Sequence, residues 1–225
     1  MQFPDFKSEL ECFEKGYTLV LGCDEAGRGP VAGPVVAVAC VLDKNSIGKN
    51  RSKNKWYARV RDSKLITEAE RNILEKEIKS HVLAWGVGEV SHKEVDKINI
   101  HNASLLAMRR AVEKLGSKLG SGQILRSRKV SIFIDGRFII PDLEVEGWKL
   151  DQKAIIDGDA KILSISAASI IAKVHRDTIM ERLDGEFPGY GFARHKGYNT
   201  KEHQKALKNL GATPVHRRSF LKIGV

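Results

Sequence analysis

Long apolar runs are missing from this chain. No stretch approaches the ~20 residues needed to span a bilayer, and Met1 to Lys15 alternates acids, bases and aromatics without the apolar centre of a secretory signal. No membrane partner is therefore expected, and the expected location is cytoplasmic. Cysteine is scarce as well. Cys12, Cys23 and Cys40 are odd in number and share no ligand-type spacing, which argues against a disulfide framework or a zinc site and fits free thiols in a reducing compartment. Acids are the minority charge, 28 against 38 Lys and Arg, for a net +10. Such a surface attracts polyanions at long range. Nucleic acid is the first partner to consider, with an incidental basic surface as the alternative. No internal repeat appears. The 225 residues suffice for a substantial core. They read as one domain over 1–225, a core of about 17–185 with a helical C-terminal extension of about 186–225, and a monomer is expected.

Tyr17–Asp24 is a short apolar run that predicts a buried strand, broken by Gly27, Gly29 and Pro30. Val35–Leu42 predicts a second strand, antiparallel to the first. Asp43–Arg61 is lysine-rich and reads as an exposed loop. Thr67-Glu68-Ala69-Glu70 fits a capping box, followed by a helix with Ile73, Leu74, Glu77 and Ile78 at helical spacing and an end near Ser80. His81–Val90 is strand-like. Asn102–Leu115 predicts a helix stopped by Gly116. Lys129–Gly136 is the clearest strand, apolar and β-branched, and Lys149–Ile156 is another. Ile162–Leu183 predicts one long helix whose small residues from Ser164 to Ala172 allow close approach to a sheet. Thr200–Leu210 predicts a short helix stopped by Gly211. Strands followed by strand–helix alternation imply an α/β domain around a mixed sheet, with the part beyond residue 162 forming a partly separate helical lobe.

Asp24 and Asp135 each end an apolar strand and are closely followed by glycine. Carboxylates there are held rigidly yet face solvent, where open α/β sheets place their chemistry; a turn-forming Asp before Gly is the alternative for either one. Asp24 and Glu25 would point to opposite faces of a continuous strand, so their convergence on one ion requires the chain to turn at once at Gly27-Arg28-Gly29. Clustered acids in a basic protein make sense beside phosphate only if cations bridge the two. Mg²⁺, which prefers oxygen ligands and borrows phosphate oxygens, points to metal-assisted phosphodiester hydrolysis.

The motif Cys23-Asp24-Glu25-Ala26-Gly27-Arg28-Gly29-Pro30 resembles the opening motif of ribonuclease HII, the type 2 ribonuclease H family. Asp62-Ser63-Lys64, Ile134-Asp135-Gly136, the run Ser166 to Asp177, His195-Lys196-Gly197-Tyr198 and His216-Arg217-Arg218-Ser219-Phe220 continue the resemblance in order, from about Tyr17 to Phe220. It implies an RNase H-like mixed β-sheet flanked by helices. It also implies an endonuclease that uses Mg²⁺ or Mn²⁺ to cut the RNA strand of RNA–DNA hybrids, and duplex DNA 5′ of a single embedded ribonucleotide, leaving 3′-hydroxyl and 5′-phosphate ends. By the same resemblance Asp24, Glu25 and Asp135 are catalytic metal ligands. Asp159 is the fourth acid with Asp157 as its rival, and Asp177 is a structural ion-pairing residue. The interval from Asp135 to Asp159 implies an insertion around Pro141–Lys149. In a two-metal mechanism the ions flank the scissile phosphorus and the carboxylates position them.

Only the 2′-hydroxyl separates the two sugars. The resemblance gives Gly27, Arg28 and Gly29 the task of reading it, and Tyr198 that of stacking on the deoxyribose 3′ of the cut; a tight turn and a loop-packing tyrosine are the alternatives. Lys64, Lys173, Lys196, Arg217 and Arg218 are candidate phosphate contacts, since backbone positioning needs charge rather than sequence information. The basic residues Lys44, Lys49, Arg51, Lys53, Lys55, Arg59 and Arg61 form a further candidate contact. Two other readings use the same residues. An RNase H-like junction nuclease would cut DNA lacking ribose, and a non-catalytic binding module would not need all of Asp24, Glu25 and Asp135.

Overall fold

The computed structural model describes residues 3–43, 56–60, 63, 66–120 and 128–221. In chain order these form α1 (Lys7–Glu14), β1 (Leu19–Ala26), β2 (Val35–Leu42), α2 (Trp56–Arg59), α3 (Glu68–His81), β3 (Val82–Val90) and α4 (His92–Gly120). Then follow β4 (Arg128–Asp135), β5 (Trp148–Ile155), α5 (Leu163–Glu186), α6 (Phe192–His195) and α7 (Lys201–Leu210). The five strands make one sheet ordered β3-β2-β1-β4-β5. β1, β2 and β3 pair antiparallel, whereas β4 and β5 extend the sheet parallel to β1. The result is the mixed α/β sheet with flanking helices that the sequence leads one to expect.

Every residue of β2 is buried, because a helical layer covers each face of the sheet. Alternation sorts its side chains. Val35, Ala37, Ala39 and Val41 join Ala107, Met108 and Ala111 of α4, while Val36, Val38, Cys40 and Leu42 join Leu74 and Ile78 of α3 and Ala167, Ala168 and Ile171 of α5. A slip of one residue would exchange the two sets, and each buried Val or Leu contributes roughly 1.5–3 kcal/mol, so the register is firmly specified. The small residues of α5 do allow close approach: a Cβ at Gly22 of β1 would collide with the backbone of Ser164 and Ile165.

Several expectations need correction. The stretch 43–61 is not wholly an exposed loop: residues 56–60 bury Trp56, Tyr57 and Val60 in the core beneath α3 and α5. Aromatic area outweighs the neighbouring lysines there, and Lys44, Lys49, Arg51, Lys53, Lys55 and Arg61 lie outside the described residues. Helix α3 begins as expected, with the Thr67 hydroxyl accepting from the Glu70 amide at 3.2 Å, but Ile73 faces solvent. Helix α4 starts ten residues before Asn102 and bends at Asn99 (φ 65°, ψ 167°). Ser91 and Glu94 form a capping box at its start, with Ser91 N–H donating to Glu94 at 2.9 Å. The Asn99 side chain accepts from Asn102 N–H at 3.1 Å and caps the second segment. Gly116 does not stop the helix; Val145 packs where its side chain would stand.

The interval between Asp135 and Asp159 holds the crossover 136–147 and then β5, as joining two parallel strands demands. Ile140 and Leu143 in the crossover are buried. Beyond the middle of α5, Met180 and Leu183 pack with Tyr190, Phe192, Ala206 and Ala32 in a small cluster of their own. That cluster joins the C-terminal helices to the turn after β1.

Candidate active site

β1 and β4 are adjacent and parallel, with Cys23 in register with Ile134. The residues that follow, Asp24 and Asp135, therefore stand side by side at the same end of the sheet, on strands ~4.8 Å apart. Cys23 belongs to the core on the α4 side. Alternation thus sends Asp24 to the α5 side, where the Ser169 hydroxyl hydrogen-bonds it. Ser169 is in turn 3.1 Å from the hydroxyl of Ser63. Asp135 Oδ1 accepts from Gly158 N–H at 2.7 Å, which clasps the turn bearing Asp157 and Asp159 to the end of β4. Asp159 is buried and its charge reaches Asp24, whereas Asp157 is exposed in a left-handed conformation. Of the two rivals, Asp159 is the one brought to the other acids.

Strand β1 runs on through Glu25 to Ala26, so the turn comes later than the sequence reasoning requires. Glu25 Oε1 accepts from the Arg28 guanidinium at 3.0 Å, and Oε2 is buried with no hydrogen-bond partner among the described residues. Burial raises the Asp24 carboxyl well above its ordinary range, and the charges of Glu25, Asp135 and Asp159 push it further. Glu25 is raised too, chiefly by burial and against the pull of Arg28. This crowd of mutually repelling carboxylates with an orphaned oxygen fits a divalent cation. Among the described residues no three such groups close a protein-only cage.

The turn Gly27 to Pro34 is shaped from below by two buried arginines. Arg217 donates to the carbonyls of Gly27 (2.7 Å), Arg28 (3.1 Å), Pro30 (2.8 Å) and Gly33 (3.0 Å). Arg176 donates to Ala32 (3.2 Å), Pro34 (3.0 Å) and, across the gap, Lys196 (3.0 Å). Burial lowers both guanidinium pKa values, to about 9 and about 10 respectively, which leaves both charged at neutral pH. Main-chain pairing of Val31 N–H with the Gly197 carbonyl, 2.9 Å, joins this turn to the loop of Tyr198. Arg28 and Gly29 are exposed, and the Tyr198 ring is exposed against Gly29.

The basic candidates divide. Arg217 is a scaffold residue rather than a phosphate contact, because it has no exposed surface and its donors go to carbonyls. Lys196 is buried in ion pairs with Glu181 (2.6 Å) and Glu68 (3.9 Å). Lys173 is held by Asp177 at 2.5 Å, and Arg71 lies 3.7 Å from the same carboxylate; Asp177 is the ion-pairing residue that was expected. Arg218 remains exposed, with its amide donating to Asp96. Lys64 and Asp62 lie outside the described residues. Sequence reasoning missed the Ser63–Ser169 contact and the roles of Arg176 and Arg217. Both arginines lie in motifs, but charge alone reads as surface.

A family profile described as Ribonuclease HII matches residues 21–223. The ribonuclease HII of Clostridioides difficile (strain 630) is 41% identical over 214 residues, 95% of this chain and 74% of that protein. That of Desulfitobacterium hafniense (strain Y51) is 43% identical over 219 residues, 96% and 74% of the two chains. Among solved structures, the ribonuclease H2 from Pyrococcus horikoshii OT3 matches with a TM-score of 0.61 at 29% identity, covering 90% of this chain and 94% of the other. A chain of the PCNA:RNase HII complex from Archaeoglobus fulgidus matches at 0.65 and 24% identity, covering 90% and 95%, a likeness of fold.

Proposed function

Because the chain belongs to the ribonuclease HII family, endoribonucleases that cut the RNA strand of RNA–DNA hybrids, we propose that it also cuts duplex DNA 5′ of a single embedded ribonucleotide, with Mg²⁺ or Mn²⁺ as cofactor. The observation that carries this reading is the meeting of Asp24 and Asp135 at neighbouring strand ends, with the charge of Asp159 added, beside a turn in which Arg28 and Gly29 are exposed.

Asp24, Glu25 and Asp135 would hold the metal, with Asp159 completing the set. When bound, the cation supplies the Lewis acidity that makes water a nucleophile near neutral pH and offsets charge on the leaving oxygen. The carboxylates position rather than attack. Glycine at 29 leaves exposed main chain for a 2′-hydroxyl to approach, the only group that distinguishes the sugars, with Gly27 buried beside it and its carbonyl held by Arg217. Arg28, poised over Glu25 and open to solvent, meets the phosphate backbone. The Tyr198 ring, lying against Gly29, stacks on the next sugar toward the 3′ side. Lys64 is proposed as a phosphate contact on the resemblance of its motif.

The test is cleavage, with Mg²⁺ or Mn²⁺, of a DNA duplex carrying one ribonucleotide beside a continuous RNA–DNA hybrid and an all-DNA duplex. Cutting of the first two with 3′-hydroxyl products supports the reading. Cutting of the all-DNA duplex, or none of the single-ribonucleotide duplex, refutes it.

A further inference from the structure

Tyr198 is supported from beneath by a buried chain of imidazoles that the proposed reaction does not use. His203, on the first turn of α7, has no exposed surface, and its Nδ1 lies 2.9 Å from the Tyr198 carbonyl oxygen. Its Nε2 lies 2.9 Å from Nε2 of His216, which is also buried. Nδ1 of His216 accepts from the Thr213 amide at 2.9 Å. That contact fixes the tautomers of a neutral pair. With Nδ1 of His216 an acceptor, its Nε2 carries the proton and donates to His203 Nε2. His203 must then carry its own proton on Nδ1 and donate it to Tyr198. Each ring has one orientation that satisfies every partner.

The far end of the chain reaches the other substrate-facing turn. His216 pairs with Ala32, and the next residue, Arg217, donates its amide to Val31 at 2.8 Å and its guanidinium to Gly27 and Gly33. His195 stacks on His203 with ring centroids 4.4 Å apart, and its Nε2 meets the Tyr190 carbonyl at 2.8 Å. Phe192 closes the cluster edge-on at 5.4 Å from His203. Tyr198 follows left-handed backbone at Lys196 and Gly197, its amide donating to the His195 carbonyl and its own carbonyl accepting also from Thr200 N–H, each at 2.8 Å.

We propose that His203 is a positioning residue for ribonucleotide recognition: its Nδ1–H holds the main-chain carbonyl of Tyr198 and so sets the loop that carries the ring against Gly29, and its bond to His216 ties that loop to the turn held by Arg217. The proposal rests on the reading of Tyr198 as the sugar-stacking group. Catalysis on uniform hybrid, where any ribonucleotide offers a cut site, depends on this setting less than cleavage at one embedded ribonucleotide does.

Two isosteric replacements separate the two nitrogens. His203→Asn keeps a donor at the Nδ1 position, and His203→Gln keeps an acceptor at the Nε2 position but loses the donor to Tyr198. The measured quantity is the ratio of kcat/KM on the single-ribonucleotide duplex to that on uniform hybrid, with Tm recorded for each protein. The Asn variant keeps the donor to Tyr198 but loses the acceptor for His216, and is expected to lower the ratio less than the Gln variant does. The Gln variant is expected to lose at least about fivefold, the lower end of an aromatic stacking contact, as Tyr198→Ala does. The double variant His203→Gln/Tyr198→Ala should be no worse in ratio than Tyr198→Ala alone. Should the Gln variant not fold, His216→Asn keeps the acceptor for Thr213 and removes the donor to His203, and it should lower the same ratio. Equal ratios for Asn and Gln variants, losses that add to that of Tyr198→Ala, or equal losses on both substrates with a lowered Tm would each reduce His203 to a packing role. An unchanged ratio in Tyr198→Ala itself would show instead that the reading of Tyr198 had failed, and the proposal with it.

Discussion

Gly29 lies under the ring of Tyr198: a Cβ added there would stand 3.4 Å from Cε1 and 3.9 Å from Cδ1. The turn after β1 and the loop after α6 therefore meet face to face, and a methyl on Gly29 would fit in van der Waals contact with the ring while covering part of its face. Gly27 is different. It has φ +100°, and a Cβ would run into the Arg176 guanidinium and the Pro34 carbonyl. Gly29→Ala should leave Tm near the wild-type value yet reduce cleavage at a single ribonucleotide. Gly27→Ala should lower stability by about 1–3 kcal/mol, the cost of a strained backbone. Thermal melts beside cleavage assays separate the two, and equal Tm losses would contradict this division.

The acids differ in what they touch. Asp24→Asn, Asp135→Asn and Asp159→Asn each remove a charge from the crowded site with little change of shape. Each should cost far more than tenfold in kcat, a penalty above ~1.4 kcal/mol. Asp177→Asn should spare kcat. It leaves Lys173 and Arg71 without their carboxylate, so its expected cost is stability, on the order of 3 kcal/mol. Single-turnover rates and denaturant melts of the four variants decide this; a crippled Asp177→Asn at full stability would move the fourth acid to position 177.

The acids at strand ends were legible because apolar β-branched runs ending in Asp-Gly or Asp-Glu advertise both strand and terminus, and β1 and β4 follow those runs closely. Long-range pairing was not legible from local pattern. Nothing in Arg217 itself distinguishes a guanidinium buried beneath four main-chain carbonyls from one on the surface, and Lys196 reads as free until Glu181 and Glu68 are folded beside it. Trp56 and Tyr57 were hidden among lysines for the opposite reason, since average polarity masked two large apolar side chains. The Ser91–Glu94 box is present in the sequence, but the apolar spacing of α4 is regular only in its second half, beyond the bend at Asn99.

Arg28 and Arg217 make opposite predictions for salt. Binding should weaken steeply between about 50 and 200 mM salt as counterions are released from phosphates. Arg28→Ala removes an exposed charge and should reduce the slope of log Kd against log salt by about one. Arg217→Lys should lower Tm, because a single ammonium cannot serve the carbonyls of Gly27, Arg28, Pro30 and Gly33. Its salt slope should stay at the wild-type value. A reduced slope for Arg217→Lys at unchanged Tm would restore it as a phosphate contact.

Glu9 gives the stability a pH dependence of definite sign. It is fully buried on α1, with Oε1 accepting from Ser164 N–H at 2.9 Å at the start of α5 and Oε2 without a partner among the described residues. Burial lifts its carboxyl from 4.5 to about 7, against the opposing Ser164 hydrogen bonds. The folded chain therefore holds this proton between pH 4.5 and 7 where the unfolded chain has released it. The stability it contributes is complete below pH 4.5 and lost as pH rises through 7, on the order of 3 kcal/mol in all. His216 has the opposite sign: burial and the neighbouring His203 push it down to about 4, so its contribution is present above pH 6.5 and lost as pH falls toward 4. Glu9→Gln mimics the protonated carboxyl and should remove only the first dependence. Its stability relative to wild type should climb from pH 5 to pH 8, while its own melting curve still declines below pH 6.5 through the histidine. Denaturant melts of both proteins across pH 4.5 to 8 measure this, and a difference that stays flat over that range would show that Glu9 is ionised in the fold throughout.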